Sequence, residues 1–482
     1  MKRPGESIRL ICVTLVALIA TTGPAFPDQP EESRSEPPRT MRLDYFHTGN
    51  LDLEVFAVDE LVVEPLPWPG SPSRALDTTG RGDYFFELSD EATGKLLFSR
   101  GFSSIYPEWE EMAGARDRVR TFHESLRFPQ PAARARVRVS RRDEANHFVP
   151  VWEIGIDPAD MLVNRAPPPA RAPLLTIQER GSPADKVDLL ILGDGYTPAE
   201  MPKFEADAKR MAEALFAVSP FRERRDDFNV WAMAPAAARS GVSRPSSGLQ
   251  RHTDLRTRYD AFRSERYVLT FDNRALREIA AHAPYEFIEI LVNNETYGGG
   301  GIYGMYATAA ADSAWADYLF VHEFGHHFAA LADEYFTSPV AYQAKTPDVE
   351  PWEPNVTALL DGAPPKWADL IRGNTPIPTP WPQDEFEAYA RDFQAQRRKI
   401  RDEGGPEVEM NALFAQAQAW FDRLLGQAPF AEAVGAFEGA YYESRGYYRP
   451  AMNCLMFTRH PVFCPVCSAA VSETIDLYAG SP

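Results

Sequence analysis

Residues 321 to 336 read VHEFGHHFAALADEYF and place two imidazoles and a carboxylate in HExxH spacing. On a helix, residues four apart differ by about 40° around the axis, so His322 and His326 project from one face a turn apart. Two imidazoles in that arrangement can bind one cation, and zinc is the metal that the spacing predicts. Glu323 follows the first histidine and is the expected general base, because such a site uses its metal to acidify a water molecule.

A catalytic zinc site needs a third protein ligand and one open position. Asp333 returns to nearly the helical angle of the first histidine, but on a continuous helix it would lie about 10 Å along the axis from His326. The helix must therefore end or turn after about Ala329 if Asp333 is to bind the metal. Glu334 is the neighbour that could substitute for it. His327 projects about 100° away from His326, so it is expected to be a packed or solvent-facing residue.

Strands and helices alternate ahead of the motif, as is typical of an α/β domain. KVDLLILGDGYT, FNVWAMAP and YEFIEILVNN read as buried strands, and Thr197-Pro198 with Glu200 predicts a helix running to about Val218. IYGMYATAAA, which follows the glycine run 298–301, has the character of an edge strand along which an extended substrate could pair. The helix AWADYLFVHEFGHHFAALADEY then carries the metal-binding motif, and two more helices are predicted in EFEAYARDFQAQRRKIRDE and MNALFAQAQAWFDRLL.

The residues from Met41 to about Asp160 have a different pattern. Several short segments alternate apolar with polar residues and are separated by glycine, proline and aspartate turns, which predicts a β-sandwich. A proline-rich linker, NRAPPPARAP, follows. The predicted organisation is a signal peptide (1–25), a disordered leader (26–40), an all-β sandwich domain (41–163), the linker (164–173) and a catalytic domain (174–482).

The N-terminus follows the pattern of an export signal, with Lys2, Arg3 and Arg9 ahead of an apolar run from Leu10 to Ala20. The mature protein is therefore expected to be secreted, periplasmic or at the cell surface. No other segment is long and apolar enough to span a bilayer, so stable membrane insertion is not expected. The formal charge of −19, without a basic cluster, argues against nucleic acid as a partner.

Three cysteines remain once Cys12 is removed with the signal. In an oxidising compartment they favour one disulfide, from Cys454 to Cys464 or Cys467, with the third thiol left over. The CPVC segment could also be half of a zinc site, but no second CxxC pair accompanies it.

Several of these segments together resemble one family of enzymes. HEFGHHFAALADEY, YYRPAMNCLM and FCPVC, with LLFSRGFSSIYPEWE and FHESLRFPQP nearer the N-terminus, resemble the bacterial immunoglobulin A peptidase family of secreted metallopeptidases. The likeness covers most of the chain from Met41 to Cys467. Cleavage of immunoglobulin A itself belongs to particular members and is not carried over by these motifs.

The resemblance implies a fold of class α/β (α+β), a metzincin-like zinc peptidase domain preceded by an all-β sandwich. It also implies His322, His326 and Asp333 as ligands of Zn²⁺ and Glu323 as catalytic base. Met456 would supply a methionine turn beneath the metal, although a methionine among apolar residues is most often core packing. The sequence departs from the metzincin pattern three and six residues after the second histidine, where it has alanine in place of glycine and of the third ligand.

These observations predict an exported zinc endopeptidase whose substrate is an extracellular protein or peptide. Two alternatives remain open, a surface binding or adhesion protein with a zinc-stabilised scaffold and a zinc amidase acting on cell-wall amides. Glu323 argues against the first alternative, because a purely structural zinc site has no use for a base. Tyr447 or Tyr448 could stabilise the oxyanion of an amide-cleaving reaction, although packing is the better explanation for each.

Overall fold

The computed structural model describes residues 37–338 and 348–480. The signal peptide expected over residues 1–25 and most of the expected leader lie outside the described residues. The end of the leader differs from the prediction, because Arg39 and Thr40 already belong to the first strand and Thr40 is buried there.

Two antiparallel sheets form the N-terminal region and share one hydrophobic core. Their elements are β1 (Arg39–Gly49), β2 (Glu54–Pro67), β3 (Tyr84–Asp90), β4 (Leu96–Phe102), α1 (Ile105–Glu110), β5 (Arg120–Pro129), β6 (Ala135–Arg142) and β7 (Phe148–Ile156). The strand orders are β2-β1-β5 and β4-β3-β6-β7. In β6 the sequence ARVRVSRR explains the packing, since Ala135, Val137 and Val139 are buried and the arginines between them are exposed.

His47 on β1 is a fully buried imidazole between two carboxylates. Its Nε2 atom lies 2.9 Å from Glu54 Oε1, and its Nδ1 atom lies 3.2 Å from Glu124 Oε2. Burial alone lowers the pKa of His47, but the two carboxylates outweigh it and raise the pKa to about 9. The protonated imidazole therefore joins β1 to its neighbours β2 and β5 through charge-assisted hydrogen bonds.

This cluster predicts a pH dependence of stability. A pKa raised above its unfolded value of about 6.5 stabilises the fold fully below that pH, and the contribution is lost as the pH rises through about 9. The shift corresponds to about 3 kcal/mol. We expect His47→Gln to flatten the fall in unfolding free energy over this interval in chemical denaturation. The exposed control His147→Gln should keep the wild-type slope, and equal slopes for all three proteins would contradict the prediction.

A six-stranded mixed sheet forms the centre of the second region. Its elements are β8 (Leu175–Gln178), β9 (Val187–Asp194), α2 (Met201–Ala217), β10 (Phe228–Met233), α3 (Asn273–Ala280), β11 (Phe287–Val292), β12 (Gly299–Ile302), β13 (Tyr306–Ala310) and α4 (Ala316–Ala329). The strand order is β12-β13-β11-β9-β10-β8, and only the outer strands β12 and β8 run antiparallel to their neighbours. Helix α2 follows the Thr197–Glu200 capping box, where the sequence predicted a helix start.

Both faces of this sheet are covered, which explains why its strands are mainly apolar, with isolated buried polar residues such as Asp188 and Glu289. Alternate residues of the buried strand β9 join two different clusters. Leu189 and Ile191 belong to the cluster that includes α2 and α4, whereas Leu190 and Leu192 belong to the cluster that includes α3 and residues of α1. Helix α4 is therefore fixed on one face of the sheet.

The edge of the sheet beside α4 differs from the prediction. The segment IYGMYATAAA contributes β13, which is buried throughout and pairs with β11 on one side and β12 on the other. The edge is instead β12, which the glycine run itself forms. A Cβ at Gly301 would lie 2.3 Å from the carbonyl oxygen of Glu323, and one at Gly299 would lie 2.6 Å from that of Thr308. Glycine is thus required at Gly301 by close packing on the backbone of α4, and at Gly299 by the backbone of the paired strand β13.

The C-terminal part adds two helices, a hairpin and a last helix. They are α5 (Gln383–Asp402), α6 (Glu407–Gln427), β14 (Val434–Ala440), β15 (Glu443–Ala451) and α7 (Pro465–Ala479). Helices α5 and α6 occupy the two segments in which the sequence predicted them. Within residues 37–338 and 348–480, no helix combines the length and the apolar composition that crossing a membrane requires.

Polar contacts join the N-terminal region to the rest, and the described residues from 38 onward belong to one compact unit. The backbone N–H of Ser103 donates to the carbonyl oxygen of Tyr303 at 2.8 Å. The buried Arg81 guanidinium donates to the carbonyl oxygen of Ala470 in α7 at 3.1 Å. Between the two regions, residues 165–173 form a largely exposed stretch that contains neither helix nor strand.

Candidate metal centre

Helix α4 carries the HExxH residues and ends at Ala329. The next residue, Ala330, adopts left-handed backbone angles, with φ 56° and ψ 35°. The backbone N–H groups of Ala330 and Leu331 donate back to the carbonyl oxygens of His326 at 3.1 Å and Gly325 at 3.3 Å. This is a Schellman-type end that reverses the chain direction. The chain can therefore return toward the histidines within three residues of the helix end.

Three donor atoms meet as a result. Asp333 Oδ1 lies 3.1 Å from His322 Nε2 and 3.3 Å from His326 Nε2, and the two nitrogens are 3.2 Å apart. A tetrahedral zinc site with ligand distances of about 2.0–2.1 Å separates its donor atoms by about 3.3 Å. The three side chains therefore fit one small divalent cation and leave the fourth position open.

The second nitrogen of each histidine fixes its tautomer. His322 Nδ1 lies 3.1 Å from the carbonyl oxygen of Leu455, and His326 Nδ1 contacts the carbonyl oxygen of Leu331. A carbonyl oxygen can only accept, so each Nδ1 carries a proton, and the Nε2 atom that faces Asp333 is the one that would bind a cation. Asp333 Oδ1 is a buried oxygen that faces both nitrogens, as expected of a cation ligand.

The other oxygen of Asp333 is held by the hairpin. The Tyr442 hydroxyl, in the turn between β14 and β15, donates to Asp333 Oδ2. Met456 is fully buried beneath α4, since a Cβ at Gly325 would lie 3.2 Å from its Sδ atom. Both contacts come from segments more than 100 residues after the helix, so the C-terminal part of the chain positions the metal-binding groups.

When no cation is bound, the side chains of His322, His326 and Asp333 compete for a proton. Burial lowers the pKa of His326, but the adjacent Asp333 carboxylate outweighs it and raises the pKa to about 9. Burial raises the pKa of Asp333, yet the imidazoles of His326 and His322 hold it well below its usual value. A divalent cation would displace the proton, so metal binding is coupled to proton release.

Glu323 lies beside the three donors without being one of them. Its carboxylate oxygen is within 4.8 Å of the nearest ligand nitrogens of His322 and His326. Burial raises its pKa above the usual value, although the two imidazoles oppose the shift. A carboxylate with a raised pKa next to a metal position is suited to take a proton from water and to return it to a leaving amine.

Two other residues considered from the sequence lie elsewhere. His327 is fully buried, with its Nδ1 atom 3.0 Å from the Ile302 carbonyl oxygen and its Nε2 atom accepting from the Ile288 N–H at 3.2 Å. Burial lowers its pKa to about 3, so it is a neutral packed histidine that joins α4 to β12 and β11. Glu334 faces away from the histidine pair and lies with the cysteines, where its Oε1 atom is 3.1 Å from Cys467 Sγ.

The cysteines differ from the expectation. Within the described residues, all the cysteines are free thiols, and Cys454 Sγ lies 3.8 Å from Cys467 Sγ, well beyond a disulfide bond of about 2.05 Å. The disulfide expected from the sequence is therefore not formed. Neither Tyr447 nor Tyr448 lines the cavities at the histidine pair.

Two cavities meet at the metal centre. One, of about 160 Å³, is lined by the histidine pair, Glu323, the β12 glycines, Arg266 and Tyr335. The other, of about 310 Å³, extends from His326 and Asp333 to a wall that includes Asp83, Ser103 and Glu111. That wall comes from the N-terminal sheets and α1, so both regions of the chain enclose the space beside the metal position. Sequence reasoning missed Tyr442 and Arg266, which no local motif marks.

Comparison with known proteins gives an independent result. The family model described as IgA Peptidase M64 matches residues 175–475, and the model described as Peptidase M64 N-terminus matches residues 33–153. No curated protein matches the chain. The first match covers more than half of the sequence and contains the whole histidine and aspartate cluster. The chain therefore belongs to the IgA peptidase M64 family, a family of metallopeptidases.

Proposed function

We propose that this protein is an exported, zinc-dependent endopeptidase that hydrolyses peptide bonds of extracellular proteins. The observation that carries the proposal is the set of three donor atoms 3.1–3.3 Å apart with the Glu323 carboxylate beside them. Family membership supports peptide-bond hydrolysis, and the donor chemistry supports zinc, because two imidazoles and one carboxylate form a common catalytic zinc site.

In this mechanism His322, His326 and Asp333 hold the cation. When bound, zinc supplies a Lewis acid that polarises the scissile carbonyl and lowers the pKa of water. Glu323 takes the proton from the attacking water and delivers it to the amine that leaves. Arg266 and Tyr335 line the cavity on the same side and offer hydrogen-bond donors for the oxyanion; the Arg266 guanidinium lies 3.1 Å from the Tyr335 hydroxyl.

The substrate would lie as an extended chain beside β12, across both cavities. Strand β12 is the last strand of the sheet, and its glycines line the smaller cavity while Gly301 and Ile302 line the larger one. The backbone of Gly299 is already bonded to Arg266 and Val268, so a substrate strand would pair beyond it, beside Gly301. An extended peptide can pair with such an edge and present one carbonyl to the metal position. We further propose that residues 174–482 carry out catalysis in a metzincin-like arrangement, with Met456 beneath α4, and that residues 41–163 form a β-sandwich domain bounding the cleft.

Cleavage-site mapping tests the proposal. The mature protein and Glu323→Ala would each be incubated with serum and mucosal proteins, and new N-termini compared by mass spectrometry. We expect termini that appear only with the wild type, because the variant keeps the metal ligands and lacks the base. Identical termini from both proteins, with metal bound to each, would contradict the peptidase. Release of products from cell-wall muropeptides by the wild type alone would then favour the amidase, and no product from either substrate would favour the binding protein.

A further inference from the structure

A second group of metal-binding side chains lies next to the catalytic centre. Glu334, Cys454, Cys464 and Cys467 are all buried, and one ligand atom from each lies within 4.8 Å of the others. Three thiols with a carboxylate are a donor set that zinc accepts in structural sites. Nothing in the proposed peptidase chemistry uses these four residues.

The distances fit a cation better than a disulfide. Cys454 Sγ and Cys467 Sγ are 3.8 Å apart, and Cys467 Sγ is 3.1 Å from Glu334 Oε1. A tetrahedral zinc with Zn–S distances of about 2.3 Å separates its sulfur ligands by about 3.8 Å. Glu334 also has a second buried carboxylate oxygen, Oε2, without a hydrogen-bond partner. Such an oxygen is costly to bury unless a cation or donor reaches it.

The groups around the three cysteines are suited to stabilise thiolates. The backbone N–H of Cys464 donates to Cys454 Sγ at 3.2 Å, and the N–H of Cys467 donates to Cys464 Sγ at 3.4 Å. The Asn355 side chain donates to Glu334 Oε1 at 3.0 Å and so fixes the carboxylate. Three thiolates, one carboxylate and a divalent cation sum to −2, and the fully buried Arg449, which interacts electrostatically with Glu334 and Cys454, offsets part of that charge.

We propose that Glu334, Cys454, Cys464 and Cys467 bind one thiophilic divalent cation, zinc by preference, in a closed structural site. Soft thiolates select zinc over magnesium or calcium. Four protein ligands leave no open position for water or substrate, which distinguishes this site from the catalytic one.

The second cation would hold the catalytic ligands in place. Glu334 is the residue after Asp333, and its backbone N–H donates to the carbonyl oxygen of Met456 at 2.9 Å. Leu455, the residue after Cys454, accepts the hydrogen bond that orients His322. Fixing Glu334 and Cys454 on one ion therefore restricts both the third catalytic ligand and the group that sets the tautomer of the first.

Metal counting on the full mature chain tests this inference. Native mass spectrometry with elemental analysis should find two zinc ions per wild-type chain. It should find one in His322→Ala/His326→Ala and one in Cys454→Ala/Cys467→Ala, while the neighbouring control Ser468→Ala keeps two. A zinc count unchanged by Cys454→Ala/Cys467→Ala, or a Cys454 disulfide in non-reducing peptide mapping, would overturn the proposal.

Cobalt substitution identifies the ligands even if the cysteine variant fails to fold. Co²⁺ bound by thiolates gives an intense near-ultraviolet charge-transfer band, which should persist in His322→Ala/His326→Ala. A cobalt spectrum without that band in this variant would overturn the sulfur site. Because the histidine variant has no catalytic centre, the result does not depend on turnover, so failure of the peptidase proposal and failure of this one are distinguishable.

Discussion

Asp333→Ala is expected to lower the affinity of the catalytic centre for zinc by more than about 100-fold and to abolish measurable cleavage. Loss of groups that merely orient a ligand costs about 10- to 100-fold in metal affinity or activity, and Asp333 is itself one of three donors. Metal affinity measured by competition with a chromogenic chelator, alongside cleavage of a peptide found by terminus mapping, would check both effects.

A conservative variant separates the effects of charge and shape at Asp333, and a distant variant serves as the control. Asp333→Asn keeps the side-chain volume and one oxygen donor, so its zinc affinity should fall between those of the wild type and the alanine variant. Asp384→Ala removes a fully exposed carboxylate at the start of α5 and should leave zinc affinity and cleavage unchanged. Wild-type zinc affinity in Asp333→Ala would show that another residue completes the catalytic centre.

Gly301→Ala is expected to lower kcat/KM by about 10- to 100-fold, because displacement by about 1 Å at a reacting group can cost that much. The added Cβ would lie 2.3 Å from the Glu323 carbonyl oxygen and 2.9 Å from His326 Cβ, so β12 and α4 must separate. Overpacking of this kind also costs about 1–3 kcal/mol of stability. Steady-state cleavage and chemical denaturation would measure the two effects.

The matched control is Gly426→Ala in α6. Its added Cβ meets no atom within 4 Å, so the substitution should leave cleavage unchanged and stabilise the helix by up to about 1 kcal/mol. If Gly301→Ala cleaved substrate at the wild-type rate, close packing of β12 on α4 would not be needed for catalysis.

The sequence predicted most of the elements that have regular periodicity. Strands β9, β10 and β11 are mainly apolar runs broken by isolated polar residues such as Asn229 and Glu289, and α5 and α6 repeat apolar residues at helical spacing. Strand β1 has a less regular pattern because it buries polar residues: Arg42 lies between Asp44 at 2.8 Å and Glu64 at 3.1 Å, and all three are buried. Local alternation of polarity cannot signal a strand whose buried charges are neutralised by a distant segment.

The glycine run 298–301 is a second case in which the local sequence did not predict the strand. Glycine is a poor strand former, so 298–301 suggested a connection and the next segment suggested the edge. The register of β12 depends on contact with α4, in which Gly301 approaches the backbone of Glu323. That contact joins residues 22 positions apart and has no counterpart in the run itself.

The candidate site also contains some residues that the sequence predicts and others that it does not. His322, Glu323 and His326 follow from helical spacing alone, and the turn that Asp333 requires is present at Ala330. The carbonyl oxygen of Leu455 and the hydroxyl of Tyr442 come from the C-terminal part of the chain and were invisible in the sequence. Spacing thus predicts metal donors carried by one helix, whereas the groups that orient them depend on tertiary structure.

The wall that the N-terminal region contributes to the larger cavity indicates how a selective inhibitor could be designed. A compound that only binds the proposed metal would depend on histidine and aspartate ligands, which many zinc enzymes share. An inhibitor extended from the metal toward Asp83 and Glu111 would meet side chains contributed by the N-terminal region of this chain. A basic group at that end would complement their charge, so selective compounds should be sought by extending away from the metal-binding head.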